Sequence, residues 1–153
     1  MDLRSEIKRG SSVYHGIFNL LILQGARDWV TDIIPQPGDL DDHHIVPSSW
    51  GNEHLKSNGV NAHTILNRTP LTADTNRNVI GSDLPNVYFR KLIDLHGDAR
   101  VQKTLGSHFI SPRALEILLR SPFKPADFEE FVDERQQTLE KKIKALLSSV
   151  SAE

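Results

Sequence analysis

The chain has 153 residues, of which 38% are hydrophobic and 25% charged, with no cysteine and a formal net charge of -2. Such a length predicts one domain, able to bury about two-thirds of its unfolded surface, and the composition excludes collagen-like, mucin-like and fully disordered chains. Without Cys there can be no disulfide staple, Cys-type zinc ribbon or thiol nucleophile, and a net negative charge excludes an overall basic nucleic-acid binder.

The charge is unevenly spread. Residues 43–113 carry 8 basic and 5 acidic side chains, net +3, between flanks of net -3 and -2. The same stretch holds six of the seven histidines. The longest apolar cluster, Ile17 to Leu23, is interrupted by Asn19 and falls short of the about 20 apolar residues of a membrane span. The N-terminus lacks the pattern of a secretory signal, so the expectation is a cytoplasmic protein with no membrane partner.

In chain order, Val13, Ile17, Phe18, Leu20 and Leu21 predict an amphipathic helix over 13–23, stopped by Gly25. Ile34-Pro35-Gln36-Pro37-Gly38 is a break that no helix crosses. Residues 39–80 are dense in His, Asn, Asp, Ser and Thr, with short apolar runs at Ile45-Val46 and Ile65-Leu66. Short strands joined by a loop fit this texture. A helix start follows, with Thr72 as N-cap and Asp74 in the first turn.

From residue 82 the chain turns helical. Ser82 or Asp83 is placed as the cap of a helix through Leu95, with Val87, Tyr88, Leu92 and Leu95 at helical spacing. Asp98–Leu105 is a second helix, closed by Gly106. Ser111-Pro112 opens a third, to Arg120. Pro125 begins the longest, whose apolar stripe of Phe128, Phe131, Val132, Leu139, Ile143, Leu146 and Val150 is expected to be core. The expected class is α+β: a single domain over 1–153, with a helix and connection over 13–38, a strand-rich insert over 39–80 and helices over 81–150.

The chemistry concentrates in Asp41-Asp42-His43-His44-Ile45-Val46-Pro47 and, further on, Asn67 through Asn78. Adjacent histidines on a strand point to opposite faces, so a shared site requires a twist or bulge near Pro47. Such a set suits metal-assisted phosphodiester hydrolysis. Mg²⁺ keeps several waters and takes only one or two protein ligands. A separate imidazole can deprotonate the attacking water near neutral pH, and an amide oxygen completes the metal site without adding charge. His43, His44 and Asn76 supply these parts. Asn78 lies about 200° from Asn76 around an α-helix, and Asn76 is preferred.

These residues resemble the His-Asn-His (HNH) endonuclease family. Its ββα-metal motif opens with an (Asp or His)-His-Ile-Val-Pro strand and carries its second Asn on a helix in a context like Thr-Ala-Asp-Thr-Asn-Arg. The resemblance implies a mostly helical α+β domain around that hairpin-helix unit. It implies His43 and Asn76 as metal ligands, His44 as general base, and Asn67 as the residue that holds loop and strand together. Asp42 in place of His43 is a variant.

Gly25-Ala26-Arg27-Asp28-Trp29, Thr64-Ile65-Leu66-Asn67-Arg68-Thr69, Ser107 to Pro112 and Asp127 to Phe131 extend the likeness over roughly 13–147. In this order they are similar to the C-terminal HNH domain of modification-dependent restriction enzymes of the GmrSD type. The implied activity is DNA cleavage with a divalent metal, Mg²⁺ foremost and Mn²⁺ or Ni²⁺ as alternatives, in restriction or phage defence. A catalytically inactive nucleic-acid-binding module on the same scaffold is the alternative. Those enzymes carry an N-terminal nucleotide-hydrolysing domain, which this sequence does not contain; such a domain or subunit is an implied partner. A double-strand break needs two sites, which makes a homodimer the other.

Arg77, beside Asn76, is the leading phosphate contact, followed by Arg68, with Arg90, Lys91 and Lys56 as further candidates. His54 and His63 read as solvated loop histidines, His15 and His108 as packing residues, His96 as a helix-terminal one. Trp29 and Trp50 read as core or cover.

Overall fold

Residues 2–152 are described by the computed structural model; Met1 and Glu153, the ends of the expected 1–153 domain, lie outside them. The first helix, α1 (Ser12–Leu23), is opened by Ser11, whose side chain accepts from the Tyr14 N–H. Its buried face is Tyr14, Ile17 and Leu21. Val13, expected on that face, is exposed, because Tyr14 takes the inward position and its hydroxyl donates to Asp42. Gly25, at φ 73°, turns the chain out of the helix in a conformation that suits glycine.

A single antiparallel pair forms the sheet among the described residues: β1 (Leu40–His44) and β2 (Arg68–Thr72), in register Leu40 to Thr72 and His44 to Arg68. The apolar runs expected to be strands lie just outside them. Ile45 and Val46 leave β1 and are fully buried, and Ile65 and Leu66 form a tight turn entering β2. A short helix absent from the sequence reading, α2 (Ser48–His54), occupies the connection. Its Trp50 packs on Phe123 and Phe128 with ring centroids 5.2 and 6.2 Å away.

After β2 the chain winds into a wide π-helical turn, Thr75–Ile80. The expected Thr72 cap is present: its hydroxyl accepts from the Thr75 N–H at 3.3 Å. Such turns cluster at functional sites.

The remaining helices are α3 (Pro85–His96), α4 (Asp98–Gly106), α5 (Pro112–Leu118) and α6 (Pro125–Ser151). Neither Ser82 nor Asp83 caps α3; Leu84 stands at that position and Pro85 fixes the first turn. The inward face of α3 is Tyr88, Phe89 and Leu92, while Val87 and Leu95 are exposed. The proposed Ser111 cap of α5 is present, accepting from Ala114 N–H at 3.1 Å.

Only the first half of the α6 stripe, Phe128, Phe131, Val132 and Leu139, is buried. Ile143 is partly packed, Leu146 is only half-buried, and Val150 lies open at 74% exposure. Among the described residues no helix is long and apolar enough to cross a membrane. The architecture is α+β and mostly helical, with helices gathered around one two-stranded sheet.

Candidate functional site

Alternation along β1 sends Asp41 and His43 to one face and Asp42 and His44 to the other. The strand ends at His44, and Pro47 begins the turn into α2. Both histidines therefore line one open cavity of about 220 Å³, together with Asp42, Pro47, Ser48, Ser49, Asn76, Gly81 and Ser82. The strand end supplies the change of direction that two adjacent histidines need to share a site.

His43 is buried, and its Nδ1 meets Asn76 Oδ1 from the π-helical turn. Its other ring nitrogen, Nε2, is buried without a partner. Asn76 Nδ2 lies 3.4 Å from Asp41 Oδ2, so a carboxylate stands beside the pair. Asn78 points elsewhere and donates to Asp74 at the surface. Burial pushes the His43 imidazole down to about 4, against the opposing effect of Asn76. Trp29 packs edge-on to it at 5.6 Å. A neutral imidazole, an amide oxygen and a nearby carboxylate form a hard nitrogen-and-oxygen donor set of the kind that divalent cations take. Among the described residues no three His, Asp or Glu side chains gather as a metal-holding group.

The π-helical turn is anchored by Asp28, which is fully buried. One carboxylate oxygen accepts from the Thr72 N–H at 3.1 Å and the Thr72 hydroxyl at 2.9 Å; the other accepts from the Thr75 hydroxyl at 2.6 Å. Burial alone would raise its pKa, but these hydrogen bonds outweigh it and hold the carboxyl below its ordinary value. Asp28 thereby ties the end of β2 to the turn that carries Asn76.

Asn67 is fully buried. Its Oδ1 accepts from the Val46 N–H at 2.8 Å, and its Nδ2 donates to the carbonyls of Val46 and Ala62 at 2.9 and 2.8 Å. The Ile45 N–H donates to its backbone carbonyl. One side chain thus clamps the exit of β1 to the entry of β2.

His44 faces a different company. Its Nε2 lies 3.0 Å from His63 Nδ1, and Arg68 Nη1 donates to Asp42 Oδ2 at 2.7 Å below it. Burial, then the Arg68 charge, then His63 push the His44 imidazole down to about 4. It is therefore neutral near pH 7, with a lone pair open to a proton.

Arg68 is buried and held by Asp42 and by the His63 carbonyl. Its guanidinium is therefore held inside the protein rather than free at the surface. Arg77 is 73% exposed in its side chain, beside Asn76 and 3.7 Å from Asp41. Asp42 lines the cavity with both histidines and Asn76; its Oδ2 is engaged by Arg68, Arg9 and Tyr14, its Oδ1 is buried without a partner, and Asp41 stands beside Asn76.

His108 is buried as expected, bridging Thr69 and the Arg27 carbonyl, whereas His15 is exposed. His63 is not a solvated loop residue: it is half-buried against His44. Asp41 was legible as the i-2 partner of His43 on a strand. His63, 19 residues from His44, leaves no such signal.

No family model matches the chain, and no solved structure matches it significantly. The chain is 27% identical, over an alignment covering 96% of its length, to an uncharacterised protein of Methanocaldococcus jannaschii. It spans 28% of that protein's length.

Proposed function

We propose that this chain is a divalent-metal-dependent DNA endonuclease of the HNH type, built on a ββα-metal unit of β1, β2 and the π-helical turn. The reading is carried by one observation: His43, His44 and Asn76, singled out from sequence, line a single open cavity. The meeting of His43 Nδ1 with Asn76 Oδ1, in a cavity that Asp42 also lines, fits a hard cation. His43 and Asn76 would hold Mg²⁺, Mn²⁺ or Ni²⁺, with Asp41 alongside. When bound, the cation neutralises charge on the scissile phosphate and at the leaving oxygen.

The chain's own groups do the rest. His44 takes a proton from the attacking water. The water oxygen bonds to phosphorus as the bond to the 3′ oxygen breaks, and the leaving oxygen collects a proton from solvent. Asn67 keeps the His44 end of β1 at a fixed distance from β2. Arg77, exposed beside Asn76, meets the phosphate backbone. A role in restriction or phage defence, with a nucleotide-hydrolysing domain or a second copy as partner, extends the same reading.

Plasmid nicking with Mg²⁺, Mn²⁺ or Ni²⁺, with EDTA and His44→Ala as controls, is the test. Metal-dependent conversion of supercoiled to open-circular DNA is expected from the wild type and not from the variant. Binding of DNA with no cutting under any metal would favour an inactive nucleic-acid-binding module instead.

A further inference from the structure

We infer that Arg68 and His63 form a relay that fixes the tautomer of His44 and leaves its Nδ1 as the nitrogen that accepts the proton. The inference rests on the nuclease reading for its consequence, but its geometry stands apart from it. Asp42 Oδ2 accepts from Arg68 Nη1 at 2.7 Å, and the same oxygen takes the Tyr14 hydroxyl and Arg9 Nε. The guanidinium lies over the Tyr14 ring, 5.6 Å from its centroid. Its Nε donates to the His63 carbonyl at 3.2 Å. Held at these points, the planar group aims a hydrogen of Nη2 at His63 Nδ1, 3.2 Å away.

Arginine has five donors and no acceptor. A hydrogen on His63 Nδ1 would collide with the one arriving from Arg68, so neutral His63 carries its proton on Nε2 and accepts at Nδ1. His44 Nε2 lies 3.0 Å from that same Nδ1, with the rings at 72°. The one lone pair of that nitrogen is then shared by two donors, Arg68 Nη2 and His44 Nε2, so His44 Nε2 carries the hydrogen. The lone pair of neutral His44 is then on Nδ1, which has no hydrogen bond to another described residue. The His63 N–H donates to Asn61 Oδ1 at 2.8 Å, which anchors the backbone that brings this ring in.

His63 is thus a positioning residue and Arg68 its orienter. As the attacking water loses its proton, the new N–H forms at His44 Nδ1, while the Nε2 hydrogen stays shared with His63. Burial of Arg68 is explained as well: a guanidinium held inside the protein sets the polarity of a histidine pair.

The experiment is long-range ¹H–¹⁵N correlation of the histidine rings at pH 7.5, without metal or DNA, alongside nicking kinetics. Wild-type His44 is expected to give a pyrrole-type signal at Nε2 and a pyridine-type signal at Nδ1. His63→Ala should mix the two tautomers and lower kcat by about 10²-fold with little change in KM, the scale of a misplaced catalytic group. His63→Asn sets an amide oxygen, an obligate acceptor, near the place of Nδ1 and should restore both the spectrum and most of the rate. A wild-type His44 protonated at Nδ1, or an unchanged His44 spectrum in His63→Ala, overturns the relay. Absence of cutting by the wild type overturns the nuclease reading instead, and the nitrogen spectra still decide the tautomer.

Discussion

His43 and His44 are neighbours in sequence and opposites in environment. His43 meets an amide oxygen of a residue that itself lies beside a carboxylate, while His44 meets a second imidazole and a buried ion pair. Their substitutions should separate accordingly. His44→Ala is expected to lower nicking by about 10²–10⁴-fold, the typical worth of a general base, with no rescue by added metal. Asn76→Ala should instead shift the Mg²⁺ or Mn²⁺ titration to higher concentration, with partial rescue at saturation. Circular dichroism should be unchanged in both. Rescue of His44→Ala by metal, or an unshifted titration in Asn76→Ala together with a shifted one in Asn78→Ala, would reverse these roles.

At the scale of elements, α6 divides in two. Its buried half sends Arg135 into the base of the sheet, where it donates to the carbonyls of Leu66, Arg68 and His108 at 2.7–3.0 Å. These groups lie at the entry to β2 and the approach to α5, so a single side chain on the last helix joins three segments. Arg135→Ala leaves three buried carbonyls without this donor and opens a cavity, for an expected loss of at least about 3 kcal/mol. The far half buries little beyond Ile143. Ending the chain after Lys144 should cost less than about 1 kcal/mol, since exposed surface positions contribute little. Urea unfolding of both variants checks the contrast, and equal losses would mean that the end of α6 is packed in solution.

The whole molecule couples stability to pH through buried histidine. His108 bridges the Thr69 hydroxyl and the Arg27 carbonyl, at 2.5 and 2.6 Å. Burial pushes its imidazole down to about 4; nearby Arg135 acts the same way, and the Asp28 charge and the Arg27 carbonyl act against it. The unfolded chain therefore takes up a proton near pH 6.5 that the folded one refuses. Stability should be full above about pH 6.5 and decline toward pH 4, by up to about 1.4 kcal/mol per pH unit for this residue. His43 and His44, also pushed down to about 4, add slopes of the same sign, so His108→Gln should lessen the dependence by the share of one residue, and an equal slope would exclude His108 as a source.

The charge distribution makes a second prediction at this scale. Of the basic residues over 43–113, Arg68 is buried against Asp42, while Lys91 and Arg113 pair with acidic neighbours. Few remain for a duplex, so the slope of log affinity against log salt should not exceed about 4 in magnitude. Arg77→Ala should reduce it by about 1. Fluorescence anisotropy on two unrelated duplexes measures both, and an unchanged slope in Arg77→Ala would move the DNA to another face.

Local pattern was enough to read the helices from their apolar spacing and end signals, the Ser111 and Thr72 caps, and the break at Pro35 to Gly38. These depend on backbone geometry within a turn or two of the chain. It also singled out His43, His44, Asn67 and Asn76, because residue types and short spacings are written along the chain. Where the strands begin and end was not legible: Ile45-Val46 and Ile65-Leu66 are apolar because the core takes them, not because they pair. The outward turn of Val13 was hidden for the same reason, as was the bare end of α6, since burial depends on which elements arrive opposite. Only tertiary structure decided that Arg68 serves His63 rather than solvent, that Asp28 ties down the turn bearing Asn76, and that Asp41 lies beside Asn76. Each of these is a contact between segments 5 to 47 residues apart, and no spacing rule specifies which distant backbone will close on a given side chain.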